Sequence, residues 1–228
     1  LANYITAFHT RKITKALIIT FKYAFITVPL KLIFALFIAY ILNFKIACVN
    51  LFRTVYYIPS ILGGSVAIAV LWKAVFSVDG LLNTVVRAVT FGAVQGPEWL
   101  SDPNYALWII CFLRIWQFGS AMVLFLAALK GVPADLYEAA TIDGCGRFRQ
   151  IWYITLPNLG RIFVVLLITK VGNILDGGFN QVYVFMNDRV RASAEIIDTW
   201  VYTQGLGKAQ YSLTTAVGLM KSVLSCGL

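Results

Sequence analysis

The sequence contains several apolar runs of membrane-spanning length, and they constrain the fold more than any other feature. The first runs from about residue 13 to residue 42. The hydrocarbon core of a bilayer is about 30 Å thick, so a helix needs roughly 20 apolar residues to cross it. The expected fold is therefore all-α, a polytopic transmembrane helix bundle. We predict further spans at about 52–76, 105–129 and 159–182, and a last one from about residue 210, which gives about five visible spans.

Composition supports a membrane protein and excludes some partners. Hydrophobic residues make up 60% of the chain and charged residues 13%, whereas soluble domains carry about 25% charged residues. The net charge is +9, but the basic residues are scattered among apolar segments and form no stripe, which argues against nucleic-acid binding. No linker or low-complexity tract divides the chain, so we expect one domain over residues 1–228.

The motifs of common enzymes are absent from the sequence. The four cysteines lie far apart without a C-x-x-C pair and His9 is the only histidine, so neither a metal site nor a disulfide framework is indicated. There is no H-E-x-x-H and no G-x-S-x-G. Residues 205–208, GLGK, lack the loop that cradles phosphates and are predicted to form an ordinary turn. We therefore expect no catalytic residues and no cofactor in this chain.

A polar segment at residues 133–157 separates two of the apolar runs. Pro133 suits the first turn of a helix, and Asp135 and Glu138 suit the positive N-terminal end. That helix should stop near Gly144, and a second amphipathic helix should follow until Pro157 limits its continuation. Two such short helices cannot bury their apolar faces alone. They need the underside of the membrane protein or another protein.

The spacing within this segment resembles the EAA coupling loop of ABC importer permeases. Three residues separate the EAA triplet from a glycine, and nine more separate that glycine from the motif I-x-L-P. The matching positions are Glu138, Ala139, Ala140, Gly144, Ile154, Leu156 and Pro157. The open alternative is a segment that only connects two helices along the membrane surface.

Flanking stretches such as FRTVYYIPSILGG and AQYSLTTAVGLMKSVLS resemble the MalF/MalG class of sugar permeases, and within it the LplB-like polysaccharide and oligosaccharide permeases. The resemblance implies a multi-pass subunit in the bacterial cytoplasmic (inner) membrane, with the coupling segment on the cytosolic side. It implies three kinds of protein partner: a second, homologous permease, a dimer of ATPase subunits that holds ATP and Mg, and an extracytoplasmic solute-binding protein. An ATP-independent carrier or a membrane scaffold subunit is the alternative class.

The ends of the sequence suggest that the chain is truncated at both termini. The sequence begins at Leu1 without a methionine and ends inside an apolar run. A family member would carry one more helix before Leu1.

In this class, the positions that contact sugar lie on the helix before the coupling loop and on the helix after it. By resemblance, the substrate pathway is expected at Arg114, Trp116, Gln117, Asp176, Gly178, Asn180 and Gln181. A Trp ring can stack on a sugar face, while amide and guanidinium groups bind hydroxyls or carboxylates. Trp116 could instead pack within the bundle, and Asn180 and Gln181 could lie at the outer interface.

The charges inside the predicted spans suggest the sign of the cargo. Lys31, Arg114 and Lys170 lie within spans, against the single acid Asp176. A charge in mid-membrane costs about 2.5 to 3.5 kcal/mol on the insertion scale, and a neutral sugar gives no return for that cost. The predicted cargo is therefore an acidic oligo- or polysaccharide, such as fragments of alginate or pectin. The alternatives are that these cations snorkel or pair with acids of the second permease.

Overall fold

The computed structural model describes residues 9–44, 47–91, 96–172 and 178–227, and these residues contain helices and no β-strand. The all-α prediction is confirmed. The helices of the first half are α1 (Arg11–Leu42), α2 (Val49–Leu62), α3 (Val66–Val75), α4 (Leu81–Val89), α5 (Pro103–Trp116) and α6 (Gly119–Lys130). Those of the second half are α7 (Ala134–Ile142), α8 (Arg147–Gln150), a π-helical turn (Ile151–Thr155), α9 (Leu156–Gly172), α10 (Phe179–Phe185), α11 (Arg191–Ala194), α12 (Ile197–Lys208) and α13 (Tyr211–Gly227).

Two helices in the described residues are long and apolar enough to cross a membrane: α1, and the continuous helix Arg147–Lys170. The number rises to four if the interrupted pairs α2 with α3 and α5 with α6 each count as one span. The fifth predicted span, from about residue 210, corresponds to α13, which has 17 residues.

The chain divides into two compact units. The first comprises Leu1–Thr27, Leu62–Arg114 and Val171–Leu228, and the second comprises Val28–Ile61 and Ile115–Lys170. In the first unit, a core cluster joins the start of α1 to α12 and α13 through Ile13, Ala16, Ile197, Trp200 and Val217. In the second unit, buried residues of the C-terminal half of α1 pack with residues of α6 and α9. The prediction of one domain over residues 1–228 stays a prediction.

The predicted second span at 52–76 is interrupted. Helix α2 ends at Leu62 and α3 begins at Val66, so Gly63 and Gly64 lie in the break, where the sequence predicted a kink or a close contact. The hydroxyl of Ser65 accepts a hydrogen bond of 3.4 Å from the backbone N–H of Ile68 and caps the new helix.

The prediction that Pro157 limits the second coupling helix is wrong. The helix continues from Arg147 through Lys170, because residues Ile151–Thr155 form a π-helical turn just before the proline. In that turn the N–H of Leu156 donates to the carbonyl of Ile151, five residues earlier. The wider turn changes the register of the helix where a proline ring would otherwise meet the carbonyl four residues before it. The segment after the glycine is therefore the beginning of the predicted fourth span.

Two further boundaries differ from the prediction. The fourth span was expected to reach about residue 182, but Gly178 has a left-handed backbone and a separate helix, α10, begins at Phe179. Residues 173–177 between α9 and this glycine lie outside the described residues. Residues 205–208 were expected to form a turn in a polar segment at 183–208. They lie instead in α12. This helix ends before Ala209, whose backbone is left-handed with φ 56°. Ile197 and Trp200 of this helix are buried against α1 and α13, and such packing supplies most of the stability of a helix.

The contact between α2 and α6 requires a glycine. A methyl group at Gly119 would lie 2.8 Å from the Cα atom of Tyr57 and would also overlap the carbonyl oxygen of Tyr56. Replacing Gly119 with alanine should therefore lower the free energy of unfolding by about 1–3 kcal/mol. The measurement is the unfolding midpoint of the protein in detergent, which should fall. The matched control is Gly160→Ala in α9, where an added methyl group has open space and a more favourable helix propensity. An unchanged midpoint for Gly119→Ala would contradict the close packing.

Candidate functional site

The coupling segment turns at a glycine with a left-handed backbone. Gly144 has φ +74° and follows α7 directly after Asp143. The N–H of Cys145 donates to the carbonyl of Ala140 at 2.8 Å, and the N–H of Gly144 donates to the carbonyl of Thr141 at 3.1 Å. This pair of bonds is the Schellman motif, which ends a helix at a left-handed residue. The predicted helix stop at Gly144 is therefore confirmed.

Side-chain hydrogen bonds hold the two arms of the segment together. The amide Nε2 of Gln150 donates to the hydroxyl of Thr141 at 3.0 Å and to the carbonyl of Cys145 at 3.1 Å. The hydroxyls of Tyr137 and Thr155 lie 3.0 Å apart. The first arm is thus fastened to the start of the second arm and to the π-helical turn. The sequence pattern does not single out Gln150, because a glutamine six residues after a glycine has no characteristic signature.

The outer surface of the coupling segment is apolar and exposed. Ile142, Phe148, Trp152 and Tyr153 are 87%, 71%, 58% and 77% exposed. Glu138 and Ala139 are also exposed, Ala140 and Ile154 are partly buried, and Leu156 and Pro157 follow the turn. Within the described residues, Glu138 forms no ion pair. A surface of this kind fits a partner that supplies apolar contacts and a cation.

Arg114 and Gly178 meet in the first unit. Gly178 has φ +73°, and a methyl group added to it would lie 3.4 Å from Nη1 and 3.6 Å from Cζ of Arg114. The same position lies 3.6 Å from Oε1 of Gln181. Three of the predicted pathway residues are therefore brought together here. Within the described part of the chain, no carboxylate pairs with the partly buried Arg114.

Gln181 and Asn180 bind the break between α2 and α3. Gln181 is 3% exposed, and its Nε2 donates to the carbonyl oxygen of Gly63. Asn180 is exposed, and its Nδ2 lies 3.5 Å from the carbonyl oxygen of Gly64. Lys73 in α3 adds a bond of 3.2 Å to the carbonyl of Val184 in α10. The alternative for Asn180 and Gln181 was a position at the outer interface. The buried side chain of Gln181 does not fit that alternative.

The other predicted pathway residues divide into three cases. Gln117 belongs to the second unit and is 3% exposed, and its Nε2 has no hydrogen-bond partner among the described residues. Trp116 is partly buried at the end of α5. Asp176 lies outside the described residues. The assignment of all seven positions to a substrate pathway stays a prediction.

One aromatic cluster of the first unit was not predicted from the sequence. The ring centroids of Phe179, Tyr183 and Tyr202 lie 4.9–5.4 Å apart. Phe179 and Tyr202 line a cavity of about 470 Å³, together with the ion pair of Lys221 and Asp198, whose charged atoms are 2.6 Å apart. Tyr202 was missed because 183–208 was read as a polar loop, although the spacing of Ile197, Trp200 and Val201 is helical.

Comparison with solved structures supports this architecture. A chain of a bacterial ABC transporter involved in the import of the acidic polysaccharide alginate superposes with a TM-score of 0.88 and 26% sequence identity, covering 99% of this chain and 79% of that chain. A chain from a second structure, the alginate ABC transporter in complex with an alginate pentasaccharide-bound periplasmic protein, has a TM-score of 0.86 at 24% identity and shows the same fold, covering 98% of this chain and 77% of that chain.

Sequence comparison gives relatives from Bacillus subtilis. The probable ABC transporter permease protein YesP is 44% identical over 159 residues, which cover 70% of this chain and 51% of the relative. The polygalacturonan/rhamnogalacturonan transport system permease protein YteP is 39% identical over 178 residues, covering 75% and 53%. This chain thus spans about half the length of these relatives. The model of one family matches residues 2–226, and the chain belongs to that family, the inner membrane components of binding-protein-dependent transport systems.

Proposed function

We propose that this chain is the permease subunit of an ATP-driven importer that moves an acidic oligo- or polysaccharide across the bacterial inner membrane. The observation that carries this proposal is the coupling segment. It combines the EAA spacing, a left-handed turn at Gly144 and an exposed apolar surface that continues into a membrane-spanning helix. The match of the family model to residues 2–226 supports the same function.

The proposed role of the coupling segment is mechanical. An ATPase subunit receives the exposed face of α7 and α8 in a cleft, and Glu138 contacts a cation of that subunit. Because α8, the π-helical turn and α9 are continuous, a movement of the segment carries over to a membrane span. ATP and Mg belong to the partner subunits, and this chain contributes no catalytic residue.

The proposed partners follow from the family and from the steps of binding-protein-dependent import. The family is one of binding-protein-dependent systems, so a solute-binding protein delivers the cargo on the extracytoplasmic side. A second, homologous permease completes the pathway, and two ATPase subunits bind on the cytosolic side.

The proposed acidic cargo rests on Arg114. Its guanidinium is partly buried and packs against Gly178, and a carboxylate can accept two parallel hydrogen bonds from such a planar fork. Two similar proteins are named for acidic cargos, the polygalacturonan/rhamnogalacturonan permease protein YteP and a chain of an alginate importer, whereas another is named for lactose. The resemblance also assigns Trp116, Gln117, Asp176, Asn180 and Gln181 to the pathway, where a Trp ring can stack on a sugar and the exposed amide of Asn180 can bind a hydroxyl. The amide of Gln181 is already bound to the carbonyl of Gly63.

Replacing Gly144 with valine should abolish ATP-driven uptake while the protein still inserts into the membrane. A β-branched residue is strongly disfavoured at φ +74°, so the turn should open and misplace Glu138. The measurement is uptake by the reconstituted complex, together with the amount of ATPase subunit that copurifies.

The matched control is Gly146→Val. An added Cβ has open space at both glycines, but Gly146 has an ordinary φ of −66°. The control should keep most of its uptake. Gly144→Asn should keep part of the uptake that Gly144→Val loses, because asparagine tolerates left-handed backbone. Normal uptake by Gly144→Val in an intact complex would contradict the coupling role.

Arg114→Gln should selectively weaken transport of an acidic cargo. Loss of a hydrogen-bonded charge costs about 1.5–3 kcal/mol, so the KM for a uronate oligosaccharide should rise about ten-fold or more. The KM for the carboxyl-reduced neutral oligosaccharide should change little. The measurement is cargo-stimulated ATPase activity of the complex with each sugar.

Lys73→Gln provides the matched control, because it removes an exposed cation that binds a backbone carbonyl in the same unit. It should leave the ratio of the two KM values unchanged. If Arg114→Gln also leaves that ratio unchanged, Arg114 does not bind a carboxylate.

A further inference from the structure

A basic cavity lies in the first unit between the start of α1 and the segment from residue 188 to the end of α12. Its volume is about 340 Å³. The charged side chains that line it are Lys12, Lys15, Arg191, Lys208, Asp188 and Glu195. Four positive and two negative charges leave a local charge of +2, which favours an anion.

Most of the cations of the cavity are available to a ligand. Arg191 lies 3.8 Å from Asp188 and 3.8 Å from Glu195. In the described part of the chain, the ammonium groups of Lys12, Lys15 and Lys208 form neither an ion pair nor a hydrogen bond. An anion that entered the cavity could therefore bind three lysines without first breaking an existing ion pair.

The carboxylate of Glu195 opposes the binding of an anion in the cavity. Its side chain is 14% exposed, and burial raises its pKa, while Arg191, Lys12 and Lys208 act in the opposite direction. Its carboxylate therefore competes with any bound anion for the same cations. Removing its charge should strengthen anion binding.

The position of the cavity along α1 favours an anion that also carries apolar chains. Helix α1 has 32 residues and is therefore about 48 Å long, well beyond the roughly 30 Å of hydrocarbon. Lys12 and Lys15 lie in its first two turns, so a bilayer that covered the apolar part of the helix would end near them. The next turns of the same helix expose Ile18, Phe21 and Phe25, by 62%, 37% and 78%.

We propose that this cavity binds the phosphodiester headgroup of an anionic phospholipid, with the acyl chains along the exposed residues of α1. Ammonium groups of lysine bind phosphate as compact point charges. A zwitterionic lipid would bring no net charge to the cavity, and a soluble anion would gain nothing from the apolar stripe below it. The inference does not depend on the identity of the cargo.

The test measures which lipids the complete transporter complex retains. The complex is reconstituted in nanodiscs with equal amounts of phosphatidylglycerol and phosphatidylcholine, and bound lipids are counted by native mass spectrometry after release. The wild type should retain phosphatidylglycerol in preference. Lys12→Gln and Lys15→Gln should each weaken this preference about five-fold, which corresponds to about 1 kcal/mol for a basic residue near a membrane surface.

Two further variants separate charge from folding defects. Lys73→Gln removes the same charge from an exposed position of the same unit that does not line the cavity, and it should change nothing. Glu195→Gln should increase phosphatidylglycerol retention, an effect that a misfolded cavity would not produce. Equal retention of the two lipids by the wild type, or an effect of Lys73→Gln as large as that of Lys12→Gln, would overturn the proposal. Release of the lipid by a soluble galacturonate trisaccharide would overturn it in favour of a sugar site.

Discussion

Interruption of an apolar helix leaves carbonyl groups without partners, and the first unit depends on how they are satisfied. Where such a break is shielded from water, each carbonyl must find a donor in the protein. The carbonyl of Gly63 receives the buried amide of Gln181, and that of Gly64 faces the amide of Asn180. Because both amides lie in α10, the short helix after the coupling span is attached to the break in an earlier span. This attachment holds Gly178, the residue before α10, where it contacts Arg114.

The second unit solves a related problem at its polar end. A helix that must stop, turn and start again exposes carbonyls at the turn, and here backbone N–H groups and Gln150 bind them. The turn is therefore rigid without a hydrophobic core of its own. The apolar residues that a core would bury remain on the surface, where the proposed ATPase partner would cover them. Continuity of the second arm with α9 through a π-helical turn makes the segment part of a span.

Local patterns in the sequence were enough to predict the helical class and the glycine turn of the coupling segment. They failed where a distant contact or a change of register decides the structure. Pro157 predicted a helix end because the π-helical turn before it has no sequence signature. Residues 205–208 looked like a turn because the helix that contains them is stabilised by earlier residues, Ile197 and Trp200, which pack against α1 and α13. Asn180 and Gln181 were equivalent in the sequence, yet one is exposed and the other is buried, since only the packing of α10 on α3 distinguishes adjacent positions.

The two left-handed glycines of the described chain illustrate why residue type alone does not reveal function. At Gly144 an added side chain would meet no atom, so the requirement for glycine there comes from backbone geometry alone. At Gly178 the same geometry is combined with contact to Arg114 and Gln181. A Cβ at Gly178 would reach ordinary van der Waals contact with the guanidinium, so here too the requirement for glycine comes from the backbone. The proposed carboxylate site therefore depends on a residue with no polar side chain, whose left-handed backbone leads into α10 beside the arginine.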